Sequence, residues 1–519
     1  IYYYGDVLEL SERLAVGLSK QGLQSGSHIG LIMANYLDVI PLLFAIWRCG
    51  CIAVPINTNY RADELSYVLR QSRCNFLVSM DMFRGRDYLK QLDKVMPLWR
   101  TGEYEGFPDL KGIAIFGGAK DVPLHFKQLL KDHKVAPPIT ATRASDTALI
   151  MYTSGTTGNP KGVLITHDNL LRGAYTVAYH HGFEDGRRAI FSLPLYHCYG
   201  IVQGLLAGMI TGGSIVPLLE FSAPAMLSAI ARHRVNYLMV VPTMMLALLE
   251  EAKRDHYDFS TLTAIHNAAA PTPAHVWRDI QQTFGCNAVF TSYGQTETTV
   301  LICATKPGDK IETVTKTQGV VAFAGVAAPD GFDGRIAQLK LIDPVTGVDC
   351  AAGESGEICT RGPLNTIGYF EQPHETGNLF THDGWLKTGD LASFDDKGAL
   401  ILTGRKKDLY KSGGELVSPK EIEDILTTHS EISQAHVLGV PDEKWGEVGF
   451  AWLVAENGCE PTTDKLRDFL KNRLAPFKQP RMMAFIAADK LPKTSTGKVQ
   501  KQRLIERSCE IYRTSRVAE

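Results

Sequence analysis

Residues 148–163 read ALIMYTSGTTGNPKGV, and the organisation of the chain is clearest when followed outward from this stretch. A polar run at 142–147 precedes the four apolar residues Ala148 to Met151. Then TSGTTGNPKG sets three threonines, one serine and three glycines around one lysine. Glycines let backbone N–H groups come close to an anion. Hydroxyls add uncharged donors, and Lys161 adds a mobile point charge. The combination suits a polyphosphate. An ordinary surface loop has a similar composition, so these residues alone support an anion cradle and nothing narrower. The pattern is not GxxxxGK[ST], because Asn159 and Pro160 separate Gly158 from Lys161. Residues 167–175 read as a helix that Thr166 or Asp168 would cap.

On both sides of this loop, helix-periodic runs alternate with short β-rich runs. Residues 8–18 and 38–47 predict helices, and 28–33, 52–55 and 76–79 predict strands. Strands follow at 189–193 and 214–217, with a helix at 224–233. Residues 237–241, YLMVV, form the unbroken apolar run expected of a strand buried on both faces. Pro242 ends that run, a helix is expected at 243–253, and short strands at 264–265 and 289–291. Such alternation implies βαβ units and parallel sheet. The character changes near Arg405, where RKKDLYKSGGE is polar and glycine-bearing. Beyond it come a helix at 419–429, strands at 435–440, 448–454 and 483–486, and a helix at 464–473. This tail predicts a separate α+β unit of about 110 residues, with the boundary near 405.

At about 100–200 residues per domain, 519 residues are more than one core can serve. A formal net charge of -2 gives no polyanion bias, which argues against nucleic acid as a partner. The ten cysteines contain no CxxC pair and read as reduced core thiols, consistent with a cytoplasmic setting. No signal peptide opens the chain, and Ile1 in place of Met predicts a truncated or processed start. Residues 204–219 are apolar but carry several glycines, a serine and a proline, so a buried segment is expected rather than a span of ~20 residues.

The segment 152–163 resembles the signature of the adenylate-forming superfamily of acyl- and aryl-CoA ligases, firefly-type luciferases and peptide-synthetase adenylation domains. Five more segments resemble that family's motifs, in its order: PLYHCYG at 194–200, SYGQTET at 292–298, WLKTGD at 385–390, GRKKDLYKSGGELVSPKEIE at 404–423 and LPKTSTGKVQK at 491–501. The resemblance covers nearly the whole chain. It implies an α/β fold with a large N-terminal domain of βαβ-type layered sheets plus a β-barrel-like subdomain. A small mobile α+β C-terminal domain would follow. The expected division is 1–404 and 405–519, hinged near Lys407.

Residue roles follow from the matched positions. Thr153, Ser154, Gly155, Thr156, Thr157, Gly158 and Lys161 would handle the β- and γ-phosphates of ATP. Thr296 would contact the α-phosphate, and Glu297 would hold Mg²⁺, which prefers oxygen ligands. Tyr293 would lie against adenine, with Ala268, Ala269 and Ala270 as the other wall. Asp390 would accept the ribose hydroxyls, and Arg405 would reach ribose or phosphate. Lys498 would bridge the acid's carboxylate and the α-phosphate. His197 is either a catalytic group beside the acid or a satisfied core histidine. The acyl pocket would draw on His197, Tyr199, Val241, Thr243, Met244, Asn267, Ala268, Ser292, Gly294 and Thr298. These are mostly small or apolar, with no Asp or Lys to read an amino group.

The implied chemistry joins a carboxylic acid to AMP, releases pyrophosphate, and passes the acyl group to a thiol. Two anions must meet, so the site has to supply positive charge and positioning. The SGGE form of the hinge motif favours coenzyme A over a carrier-protein thiol. Ser412, Gly413, Gly414, Trp445, Phe477, Lys478 and Arg481 would form the CoA path, although Gln479 stands where the family often has Arg. The run 83–88, FRGRDY, resembles a segment of fatty acyl-CoA synthetases and points to a fatty acid of medium or long chain, or another apolar acid. The alternatives are a ligase that loads a carrier protein, luciferase-type chemistry, and a non-catalytic nucleotide or acyl sensor. Partners are expected to be the small-molecule acid and CoA, with peripheral membrane contact open, and the chain a monomer or homodimer. Residues 318–341 depart from the family's usual glycine- and proline-marked turn, so a remodelled loop is expected there.

Overall fold

The structure, a computed structural model, describes residues 1–131, 140–153 and 159–517, except 185, 271, 273, 287, 457, 460, 472, 495 and 496; the side chains of 515–517 are outside that description. The alternation seen in the sequence becomes two layered sheets. One has seven strands in the spatial order Leu124–His125, Gly112–Phe116, Phe76–Met80, His28–Ile32, Ile52–Pro55, Thr147–Thr153, Lys161–Thr166. Its first six strands are parallel. The last pairs antiparallel with Thr147–Thr153, placing Thr153 opposite Lys161. The second sheet has five parallel strands, ordered Ser214–Pro217, Arg188–Phe191, Tyr237–Val240, Ala264–Asn267, Ala288–Phe290. Tyr237–Val240 lies at its centre with every residue buried, as its unbroken apolar run predicts.

The loop after Thr153 therefore joins two antiparallel strands, whereas the periodicity of 161–166 gave no strand. Helix His167–His180 follows directly. Thr166 is its cap, its Oγ1 accepting from the Asn169 N–H at 3.1 Å. Asp168, the other expected cap, instead accepts from Arg172 one turn on.

Residues 199–219 are neither a span nor one regular helix. Tyr199–Leu206 is π-helical, Ala207–Ile210 continues as α-helix, and Ser214–Pro217 is a strand. The glycines explain the close packing. A Cβ on Gly200 would sit 2.2 Å from the Pro194 carbonyl oxygen, and one on Gly204 2.8 Å from the Phe191 ring. No helix among the described residues is long and apolar enough to cross a membrane.

Antiparallel structure fills the β-rich subdomain: a four-stranded meander of Gln338–Ile342, Gly356–Arg361, Leu386–Phe394 and Leu400–Arg405, beside the three strands Ser292–Gly294, Leu301–Ala304 and Val320–Val321. The atypical stretch 318–341 is built into this part. Gly319 turns with φ +74° against the Ala304 backbone, and Phe323 stacks on His180. From Tyr410 onward, a five-stranded sheet carries Pro419–Leu426 and Thr463–Lys471 over one apolar cluster and Lys501–Val517 over another. Neither cluster shares a residue with the large core. All ten cysteines are free and seven are buried.

Candidate active site

Asp390 and Arg405 occupy adjacent antiparallel strands in direct register. Cross-strand neighbours lie close enough for their side chains to pair, and Arg405 Nε meets Asp390 Oδ1 at 2.9 Å. Tyr293 Oη donates to Asp390 Oδ2 at 2.9 Å. Tyr293, the expected adenine wall, thus also orients the Asp390 carboxylate. Each carboxylate oxygen keeps a second lone pair, enough to accept from a vicinal diol. Glu357, which no motif marks, lies buried beside them. It accepts from the Gly389 N–H at 3.2 Å and from Lys406 Nζ at 2.9 Å, tying the turn before Asp390 to the start of the hinge segment. Ala268 is buried and Ala270 partly so, while Ala269 is exposed in a left-handed conformation (φ 75°) just beyond the strand Ala264–Asn267. A non-glycine residue held there carries backbone strain of the kind that gathers at ligand sites.

The phosphate end centres on Lys161. Ser154, Gly155, Thr156, Thr157 and Gly158 lie outside the described residues; Thr153 and Lys161 mark the two ends of the hairpin. Lys161 pairs with Glu375 and lies 5.2 Å from the centre of the Tyr369 ring. Tyr369 Oη donates to Glu297 Oε1 at 2.9 Å. Burial raises the Glu297 pKa, opposed by the hydrogen bond from Tyr369 and by the Lys161 charge. A carboxylate of this kind fits Mg²⁺, which takes one or two protein carboxylates and completes its shell with phosphates and water. Thr296 opens a short 3-10 turn that ends at Thr299, another non-glycine residue at positive φ (60°).

The acid side is neutral. Burial pushes the His197 pKa down to about 4, so its ring is uncharged at pH 7. Tyr199 Oη lies 3.1 Å from the Val240 carbonyl and 3.2 Å from His266 Nδ1. His266 Nε2 is 2.9 Å from Ser292 Oγ. Burial likewise lowers the His266 pKa, to about 3. This histidine was missed; its only signal was a polar residue within an apolar strand. Val241, Asn267, Ala268 and Thr298 are fully or almost fully buried. Thr298 Oγ1 is engaged with the Gln295 and Val300 carbonyls, and Asn267 Nδ2 donates to Thr272. They back the site, while His197, Tyr199, Thr243, Met244 and Ser292 keep partial exposure and Gly294 is open to solvent. Gly294 must remain glycine, since a Cβ would lie 2.1 Å from the Val300 carbonyl oxygen.

Lys498 lies in a loop of the C-terminal lobe that packs on the large lobe. A Cβ on the preceding Gly497 would sit 2.5 Å from Thr243 Oγ1 of the large lobe. Lys498 itself is exposed to solvent. Loss of hydration and the charges of Arg405 and Lys407, partly offset by Asp390 and Asp408, push its pKa down to about 8. Lys407, at the expected hinge, is lowered by burial and by Arg405.

The proposed CoA residues collect elsewhere. Ser412, Trp445, Phe477 and Arg481, with Val448, Pro476 and Gln479, line a cavity of about 300 Å³ in the C-terminal lobe. Gly413 (φ 62°) packs on Trp445, where a Cβ would lie 2.8 Å from the indole, and Gly414 turns with φ 90°. Arg481 lies 5.5 Å from the Trp445 ring centre. Lys478 is engaged differently: its ammonium meets both Glu421 oxygens at 2.8 Å. Every residue that lines this cavity belongs to the C-terminal lobe.

Known proteins share both the sequence pattern and the architecture. Residues 2–370 match the AMP-binding enzyme family, and 421–498 match the AMP-binding enzyme C-terminal domain. The mitochondrial medium-chain acyl-CoA ligase of Danio rerio is 30% identical over 520 residues, 98% of this chain and 83% of that protein. ATP-bound MatB from Rhodopseudomonas palustris superposes with a TM-score of 0.84 at 28% identity, covering 98% of this chain and 94% of that one. The o-succinylbenzoate CoA synthetase of Bacillus subtilis, in complex with its acyl-adenylate intermediate, gives 0.79 at 28% identity, with 96% and 92% covered. Together with the motifs, these likenesses make the chain a member of the AMP-binding enzyme family, an acid–thiol ligase of the acyl-CoA synthetase type that uses ATP, Mg²⁺ and coenzyme A.

Proposed function

We propose that the chain activates an apolar carboxylic acid, a medium- or long-chain fatty acid in the first instance, and transfers the acyl group to CoA. The observation that carries this reading is the Asp390 carboxylate held by Arg405 and Tyr293, with the Lys498 loop packed on Thr243 and its ammonium within the field of Asp390 and Arg405. Asp390 would hold the ribose, and Thr296 and Lys498 would flank the α-phosphate. The acid's carboxylate attacks that phosphorus in line, forming the acyl–AMP bond as the bond to pyrophosphate breaks. Lys498, protonated, reduces repulsion between the two anions. Lys161 and the loop before it steady the departing pyrophosphate, and Mg²⁺ held at Glu297 adds charge stabilisation when bound. No protein nucleophile is required.

The second step needs a thiol where Lys498 now stands. Rotation of 405–519 about Lys407 would withdraw Lys498 and bring Ser412, Gly413 and Gly414 to the adenylate. Two adjacent glycines at positive φ let a thin pantetheine arm pass close to the backbone. Hinges of this kind absorb large φ/ψ changes at a few residues. The preference for an apolar acid rests on neutral His197 and His266 and on the apolar Val241 and Met244, together with the medium-chain relative. The test is a panel of acids of graded chain length, with aryl and dicarboxylic acids beside them, incubated with ATP, Mg²⁺ and CoA and scored by AMP release. Turnover confined to dicarboxylic or amino acids would sink the substrate class. Turnover only with a carrier protein in place of CoA would sink the acceptor.

A further inference from the structure

Glu375 belongs to none of the six motifs, yet it is the ion-pair partner of the phosphate-loop lysine. The Lys161 side chain is 13% exposed and that of Glu375 31% exposed, so the pair is partly withdrawn from water. Their closeness holds the Glu375 carboxyl below its usual range, chiefly through the hydrogen bond from Lys161. The Tyr369 ring lies along the ammonium's other side. Backbone pairing fixes this segment to the hairpin: the Phe370 N–H donates to the Gly162 carbonyl at 2.8 Å, and Val163 bridges Tyr369. Lys161 is therefore held in place with a fixed negative charge beside it.

In the ligase reading, on which this inference rests, the same ammonium receives the terminal phosphates of ATP and then the pyrophosphate. A carboxylate and a phosphate compete for one ammonium, and they repel each other if they share it. We propose that Glu375 is a positioning residue, a built-in counter-ion of Lys161 that weakens the hold on ATP and on the pyrophosphate product and so favours pyrophosphate release. Glu375 touches no reacting atom; it acts through Lys161.

Calorimetric titration of wild type, E375Q and E375D with ATP·Mg²⁺, inorganic pyrophosphate with Mg²⁺, and AMP tests this. For a partly exposed ion pair, E375Q should bind ATP and pyrophosphate about three- to fivefold more tightly. AMP affinity should not change, because AMP has no β- or γ-phosphate to meet Lys161. E375D keeps the charge and should stay close to wild type. Inhibition by pyrophosphate in the adenylation assay should strengthen in E375Q by the same factor. Unchanged or weaker binding of ATP and pyrophosphate by E375Q, with normal AMP binding, would overturn the inference alone. Parallel losses for all three probes in E375Q and E375D would show a structural role and overturn it as well. Failure of the wild-type chain to bind ATP would remove the ligase reading, and this inference with it.

Discussion

Lys161 and Lys498, the two lysines of the proposed first step, are held in opposite ways. Lys161 projects from a strand, almost wholly covered, with Glu375 and Tyr369 around its ammonium. Lys498 projects from a loop of the small lobe and keeps solvent exposure, while loss of hydration, then the charges of Arg405 and Lys407, push its pKa down to about 8. The first is held by an ion pair and an aromatic ring. The second is conditional: its neighbours make it costly until an anion arrives between the lobes. A site that must release pyrophosphate and then remove one lysine from the scene is well served by this asymmetry.

The contrast breaks most visibly at Lys498. K498A should lower ATP–pyrophosphate exchange about 10²- to 10³-fold, the usual cost of losing one preorganised charge donor. Transfer from a supplied acyl-adenylate to CoA should be nearly unaffected, and parallel loss of both steps would refute the division of labour. Because burial depresses this lysine's pKa below its unfolded value, the charged form costs stability below about pH 8. K498A should therefore melt no lower than wild type at pH 7.

The same shift predicts a pH profile. kcat/KM for ATP reports groups of the free enzyme, and only protonated Lys498 can bridge two anions. The rate constant should fall about tenfold per unit above pH ~8. K498R, which stays charged, should lose that limb while retaining measurable exchange. A basic limb that persists unchanged in K498R would assign it to another group.

Y369F probes the tethered side. It removes the hydrogen bond to Glu297 while keeping the ring beside Lys161. Bonds to charged groups contribute ~1.5–3 kcal/mol, so about a tenfold fall in kcat/KM is expected, eased by raised Mg²⁺. Equal activity at all Mg²⁺ concentrations would show that Tyr369 does not steady the metal carboxylate. The smallest effect is expected at R481A, far from both lysines. It should raise the KM for CoA a few-fold and leave exchange untouched, in line with a solvent-facing cation. A change in exchange would place Arg481 in the first step.

Legibility in the sequence follows the same division. Lys161, Asp390, Glu297 and Lys498 stand in contiguous motifs, so they could be located before any fold was known. The parallel layers were legible too, because buried strands such as Tyr237–Val240 are unbroken apolar runs. Partners supplied by distant segments were not. Glu375 meets Lys161 across 214 residues and Tyr369 meets Glu297 across 72, and nothing local marks either. Glu357 and His266 were hidden as polar residues inside strands, where their partners come from neighbouring backbone and side chains. Helical periodicity likewise could not register the π-helical turns of Tyr199–Leu206, which shift the acyl-side residues off a 3.6-residue period. Lys478, expected on the CoA path by position, also has a partner no motif marks, since its ammonium is engaged by Glu421.

One further consequence concerns synthesis on the ribosome. The strand Lys161–Thr166 lies at the rim of its sheet, and its outer edge is completed by residues 366–370, with Leu164 and Thr366 separated by 202 residues. At ~5–20 residues per second, the nascent hairpin waits ~10–40 s before its neighbour emerges. Nucleotide can therefore help to stabilise this lobe only late in translation, and a chain stalled before residue 370 carries an unpaired strand edge that other chains can reach.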